Sequence, residues 1–168
     1  MSTAIATASA EPQVDFFHQL FNPFIPLTTA AHLLQCSREH AARMARAGDL
    51  LACDLSLLWP VPSTLAMADR DPQRTLRVLR ASVDRICIPA LATYTLDRLR
   101  TAMQATLFAG RKTLGREEVA HALSLSPKHI GNLLECGALA GSRLAGSSGR
   151  LQFIYRDSLL AALAAREI

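Results

Sequence analysis

Arg43 and Asn132 stand 89 residues apart, at matching places in two related stretches of the chain. Arginine makes a bidentate pair with guanine, and asparagine does the same with adenine, so both residue types can read base edges from a helix. The groups around them suit a polyanion. Arg38 and Lys128, near the starts of the same two expected helices, are placed for phosphate. Ser37 and Ser126 stand at the helix starts, and His40 and His129 follow in the first turns. Glu39 and Arg46 share the outward face with Arg43. Arg74 and Arg77 stand near one expected wing, and Arg143 and Arg150 near the other, where they would follow a nucleic-acid backbone. These fourteen residues form the candidate DNA-contacting set.

The elements that must hold them come from an internal duplication. Residues 28–52 align with 117–141 without a gap, and seven pairs are identical: Ala31/Ala120, His32/His121, Leu34/Leu123, Ser37/Ser126, His40/His129, Gly48/Gly137 and Leu50/Leu139. Repetition of this length marks one supersecondary unit present twice. In the first copy, Thr28 or Thr29 is expected to cap a short helix, Gln35 and Cys36 to break it, and Ser37 to cap a second helix that Gly48 ends. In the second copy, Glu117 and Glu118 favour a helix start. Ser126 and Pro127 cap and begin the next helix, and Gly137 stops it. Helical spacing sends Ala41, Met44 and Ala45 inward and Glu39, Arg43 and Arg46 outward, with His40 and Ala42 on the flanks. The same arithmetic buries Ile130, Leu133 and Leu134 and exposes Lys128, Asn132 and Glu135. His32 and His121 are expected to be packed structural histidines.

The similarity resumes at a spacing of 76, where residues 74–86 align with 150–162 and pair Arg80/Arg156 and Ser82/Ser158. In both, an extended run leads through an arginine and a serine into an apolar helix. Each copy is therefore expected to run helix, turn, helix, strand, loop, strand, helix, which is a winged helix. The second wing tip is glycine- and serine-rich; the first is longer and holds Trp59, Pro60, Pro62 and Pro72. The expected organisation is an N-terminal arm over 1–25, a first unit over 26–88, a linking helix within 89–111 and a second unit over 112–168. The fold class expected is mainly α with small β wings. Leu91, Leu96, Leu99, Met103 and Leu107 give the linking helix an apolar face that packs between the units or forms a homodimer seam. The arm carries Phe16, Phe17, Phe21 and Phe24, a density suited to docking on the body or on a partner.

Composition narrows the class. Half of the 168 residues are apolar, and the net charge is +4, compatible with DNA without requiring it. The four cysteines lack CxxC spacing and read as reduced thiols of a cytoplasmic protein. No apolar run reaches the roughly 20 residues of a membrane span. No phosphate-binding glycine loop, paired carboxylates or nucleophile–base motif emerges, so the expectation is a non-enzyme without metal, cofactor or small-molecule substrate.

The stretch Leu27-Thr28-Thr29-Ala30-Ala31-His32-Leu33-Leu34, then Ser37, then Gly48-Asp49-Leu50, resembles the excisionase/MerR-type helix-turn-helix family. Arg80-Ala81-Ser82-Val83 and Arg156-Asp157-Ser158-Leu159 resemble the strand-to-helix step that follows the wing there. The resemblance covers about two-thirds of the chain and departs from the single-copy form. It implies double-stranded DNA as partner and a nucleoid-associated transcription regulator or excision/architectural factor of a bacterial mobile element. The rivals are an adaptor or anti-activator that keeps the fold without DNA, and a phage DNA-packaging recognition subunit.

Overall fold

The structure is a computed structural model and describes residues 23–56, 75–143 and 152–168. Residues Phe16, Phe17 and Phe21 of the arm, both wing tips, and Arg74 and Arg150 lie outside them. The first unit runs β1 (Phe24–Pro26), α1 (Leu27–Leu33), α2 (Arg38–Arg46), β2 (Ala52–Asp54), β3 (Leu76–Leu79) and α3 (Arg80–Cys87). A 3-10 turn (Pro89–Leu91) and α4 (Leu96–Thr106) follow. The second unit runs β4 (Thr113–Gly115), α5 (Arg116–Ala122), α6 (Pro127–Glu135), β5 (Gly141–Arg143), β6 (Gln152–Tyr155) and α7 (Arg156–Ala165).

The duplication is visible hydrogen bond by hydrogen bond. The amide of Arg80 donates to Pro23 O at 2.8 Å, and that of Arg156 donates to Lys112 O at 3.0 Å. Leu79 N–H reaches Leu51 O at 2.8 Å, as Tyr155 N–H reaches Ala140 O at 3.0 Å. The paired serines do the same work: Ser82 Oγ accepts from Leu51 N at 3.2 Å, and Ser158 Oγ accepts from Ala140 N at 2.7 Å. The matched turn residues Gln35 and Ser124 both take positive φ, +53° and +50°. Gly48 and Gly137 end their helices at φ +79° and +76°, a conformation that is nearly free of strain only for glycine.

The expected class is corrected. Each unit is built on a three-stranded antiparallel sheet, ordered β1-β3-β2 in the first and β4-β6-β5 in the second. With seven α-helices and these two sheets among the described residues, the chain is an α/β mix and not a mainly α fold with β wings. What sequence reading missed is the strand ahead of each first helix. β1 and β4 are three residues long, too short to show an alternating pattern against a helix that begins at once. Phe24 and Ile25, assigned to the arm, are buried in β1. α1 accordingly begins at Leu27 behind Pro26, with no side-chain cap from Thr28 or Thr29.

The linking helix is shorter than expected. Thr95 accepts from Arg98 N and starts α4 at Leu96, after a turn through residues 92–94. Leu99, Met103 and Leu107 are buried in one cluster with Phe24 and Leu79 of the first unit and Leu114 and Ile154 of the second. The apolar face of α4 is thus covered within the chain, between the units. A second cluster, with Leu27, Ala42, Leu50 and Val78, fills the first unit alone.

Hydrogen bonds also join the halves. The C-terminal residues extend the first sheet: Asp54 N–H donates to Arg166 O and Ile168 N–H to Ala52 O, both at 3.0 Å. Arg100 of α4 clamps Glu167 there, its Nε lying 2.9 Å from Oε2. Arg77 of β3 reaches across to the α5–α6 turn, where its guanidinium donates to Leu123 O at 3.0 Å and Ser124 O at 3.0 Å.

Candidate nucleic-acid interface

α2 is positioned by its buried face. Ala41, Ala42 and Ala45 are at most 1 % exposed and pack in the first unit's core, so the small side chains let the helix lie close against α1. Ala42, expected on a flank, therefore belongs to the core. Ser37 caps the helix by accepting from His40 N at 3.2 Å. The opposite face presents Glu39, His40, Arg43 and Arg46, all exposed, with Arg38 half-buried beside them. Arg43 Nη2 lies 3.3 Å from His40 Nδ1; since a guanidinium only donates, Nδ1 is the acceptor. Among the described residues neither Arg43 nor Arg46 forms an ion pair, so both cations face solvent.

α6 repeats the frame with different chemistry. Ser126 accepts from His129 N at 3.2 Å and Pro127 occupies the first turn. Ile130, Gly131 and Leu133 are buried, Lys128 and Glu135 exposed, and Asn132 and Leu134 half-buried. Asn132 is less available than its counterpart Arg43: it is shorter, and half-buried where Arg43 is exposed. Gly131 is helical, and a methyl built on it meets only ordinary contacts at 3.6 Å and beyond. Gly131→Ala is expected to stabilise the fold by roughly 0.5–1 kcal/mol, by lowering the entropy of the unfolded chain. Urea denaturation would show this as a raised midpoint at unchanged slope.

The structure removes two residues from the candidate set. Arg77 is only 7 % exposed and is spent on the carbonyls of Leu76, Leu123 and Ser124. Desolvation by burial holds its guanidinium below its ordinary pKa. It locks the units together and does not face a ligand. His129 Nε2 lies 2.8 Å from Leu55 O, and a carbonyl only accepts, so Nε2 carries the proton and is committed to the first unit. Arg143 lies in β5, while Arg74 and Arg150 lie outside the described residues. His32 and His121, expected to be packed, are both exposed: α1 turns Leu27, Ala30 and Ala31 inward and leaves the next position outside. Ser37, Arg38, Glu39, His40, Arg43 and Arg46 are thus grouped at α2, while Ser126, Lys128 and Asn132 form a separate group at α6.

Sequence reading missed a second polar group, Arg116 and Gln152, beside Gly131 of α6. The signal lay in the duplication itself: their counterparts at spacings of 89 and 76 are Leu27 and Leu76, both buried leucines. A polar residue where its own twin is core is informative without any other sequence.

No protein-family model and no solved structure matches this chain. Among curated proteins, the acetyl-coenzyme A carboxylase carboxyl transferase subunit alpha of Acidiphilium cryptum (strain JF-5) is 33 % identical to it over 115 residues. The match covers 66 % of this chain and 36 % of that protein, so the chain spans about a third of its relative's length. The relative is an enzyme subunit, which overturns the expectation of a non-enzyme drawn from the lack of a catalytic motif. No helix among the described residues is long and apolar enough to cross a membrane.

Proposed function

We propose that this chain binds double-stranded DNA through the outward face of α2, as a transcription regulator or excision/architectural factor of a bacterial mobile element acting at the nucleoid. The observation that carries the reading is the exposed pair Arg43 and Arg46, unpaired by any acid among the described residues, on a serine-capped helix. Arg43 is the base reader, and Arg38 and Arg46 are phosphate contacts. The resemblance of the α1–turn–α2 residues to excisionase/MerR-type proteins supports it. The units contribute unequally. α6 offers Lys128 and a half-buried Asn132 beside Glu135, and its His129 is committed to Leu55. The expected site is therefore one short motif read by α2 with weaker flanking contact, not a palindrome.

Arg43→Ala is expected to weaken binding to the preferred site by roughly 1–3 kcal/mol while leaving random-sequence DNA nearly unaffected. Fluorescence anisotropy against a selected oligonucleotide and a scrambled one measures both. Equal losses on the two would make Arg43 a phosphate contact. Affinity that does not fall as salt rises would replace DNA by a protein partner, as the adaptor reading requires.

A second reading rests on the similarity to the carboxyl transferase subunit: the chain would serve as part of a carboxyl transferase. Labelled carboxyl transfer to acetyl-coenzyme A, assayed with the purified chain and with the remaining carboxylase components, tests it. Activity that survives Arg43→Ala and Arg46→Ala together would favour this reading over DNA binding.

A further inference from the structure

We propose that the second unit holds a small-ligand site between α6, β5 and β6, shaped for a primary carboxamide, with Arg116 and Gln152 as the recognising pair. The duplication supplies the first argument. Three positions that are apolar and buried together in the first unit's own core, Leu27, Ala42 and Leu76, become Arg116, Gly131 and Gln152 in the second. The apolar plug of one copy is replaced by two hydrogen-bonding side chains and a missing side chain. A cavity of about 100 Å³ opens there, lined by Leu134, Gly141, Ser142 and Gln152.

The second argument is unmet hydrogen bonding. Gln152 Oε1 and Arg116 Nε are both shielded from solvent and have no hydrogen-bond partner among the described residues. Buried polar atoms are almost always paired, so two orphans at one place call for a ligand. The two side chains converge beside Gly131: a methyl there would lie 3.6 Å from Arg116 Nη1, of the same guanidinium, and 3.9 Å from Gln152 Oε1. Alanine at the matching position 42 fills this space in the first unit; glycine leaves it open.

Chemistry selects the occupant. The guanidinium needs an acceptor and the Gln152 oxygen needs a donor, side by side. A primary carboxamide presents C=O and N–H on one edge. A carboxylate offers acceptors only and would set a negative oxygen against Gln152 Oε1. An ammonium offers donors only and would face the guanidinium. A trans secondary amide points its two groups in opposite directions. Leu134 gives the substituent an apolar wall, and the volume admits a small ring and not a nucleotide.

The site is independent of the DNA reading and is tested without DNA. The full chain, labelled with 15N, is titrated with benzamide, and with benzoate and N-methylbenzamide as controls. Saturable shifts of the Gly131, Ser142 and Gln152 amides with benzamide, and much weaker ones with the controls, are expected. Gln152→Leu, which installs the first unit's own residue, should weaken benzamide about tenfold or more. Gly131→Ala, which fills the convergence point, should also weaken it, and unchanged spectra elsewhere show that both variants are folded. The absence of saturable shifts would leave only a solvated cavity and overturn the proposal. Benzoate binding as tightly as benzamide, or undiminished binding by both variants, would overturn it equally.

Discussion

Arg77→Ala is expected to cost the fold roughly 4 kcal/mol, a large effect for a single polar side chain. The side chain is buried, and its guanidinium satisfies Leu123 O and Ser124 O at the turn between α5 and α6, 46 and 47 residues away in sequence. Removing it strands buried carbonyls, each worth about 1–3 kcal/mol, and leaves a void between the units. Arg77→Lys should recover only part of the loss, because one ammonium cannot reproduce a planar fork that addresses two carbonyls. Guanidinium chloride denaturation followed by circular dichroism measures both. A loss under about 1 kcal/mol for the alanine variant would show that the units do not depend on this tie.

Raising the pH from 9 towards 12 is expected to destabilise the chain through Cys53. Burial, with the neighbouring Glu167 charge adding to it and Arg100 opposing, pushes the thiol from its ordinary value of about 9 up to about 12. The folded state then keeps a proton that the unfolded state has released. Stability from this group is therefore fully present below pH 9 and is lost as pH rises through the window to 12. The slope approaches about 1.4 kcal/mol per pH unit, or some 3 kcal/mol by pH 11. Cys53→Ala removes the titrating group, so the difference in stability between wild type and variant should shrink and then reverse across that window. Parallel curves from pH 8 to 11 would mean that the thiol is not held in a dry site. The position lies where β2 meets the C-terminal residues, with Sγ donating to Leu163 O at 3.4 Å, so the same titration reports on how firmly α7 is docked.

Local signals survived the passage to three dimensions wherever the physics was local. Ser37 and Ser126 cap their helices, Gly48 and Gly137 end theirs, and the arginine–serine steps at 80–82 and 156–158 open α3 and α7. The caps and stops depend on a few bonds made within one turn of chain, while the two arginine–serine steps also bond to distant segments. The outward placement of Glu39, Arg43 and Arg46 was equally legible, because helical periodicity alone assigns faces once the inward alanines are known. The differences at Arg77, His129 and Phe24 were decided by contacts distant in sequence. Arg77 and Arg43 are the same residue type, each near a helix-turn segment. One is buried only because α5 and α6, more than forty residues later, fold back upon it. His129 sits in the first helical turn as His40 does, yet Leu55 O claims its ring nitrogen. By sequence Phe24 is one of four arm phenylalanines; pairing with Leu79 makes it a strand.

What this sequence determined unaided is that one unit occurs twice and which helix surfaces point outward, since repetition and periodicity are properties of the string and of the backbone. Only the tertiary structure decided that each unit is built around a three-stranded sheet, that the apolar face of α4 is covered between the halves, and that the two copies are unequal. Those outcomes turn on which apolar surface finds which partner and which carbonyl is left unpaired. Both are energies of encounter between segments far apart along the chain.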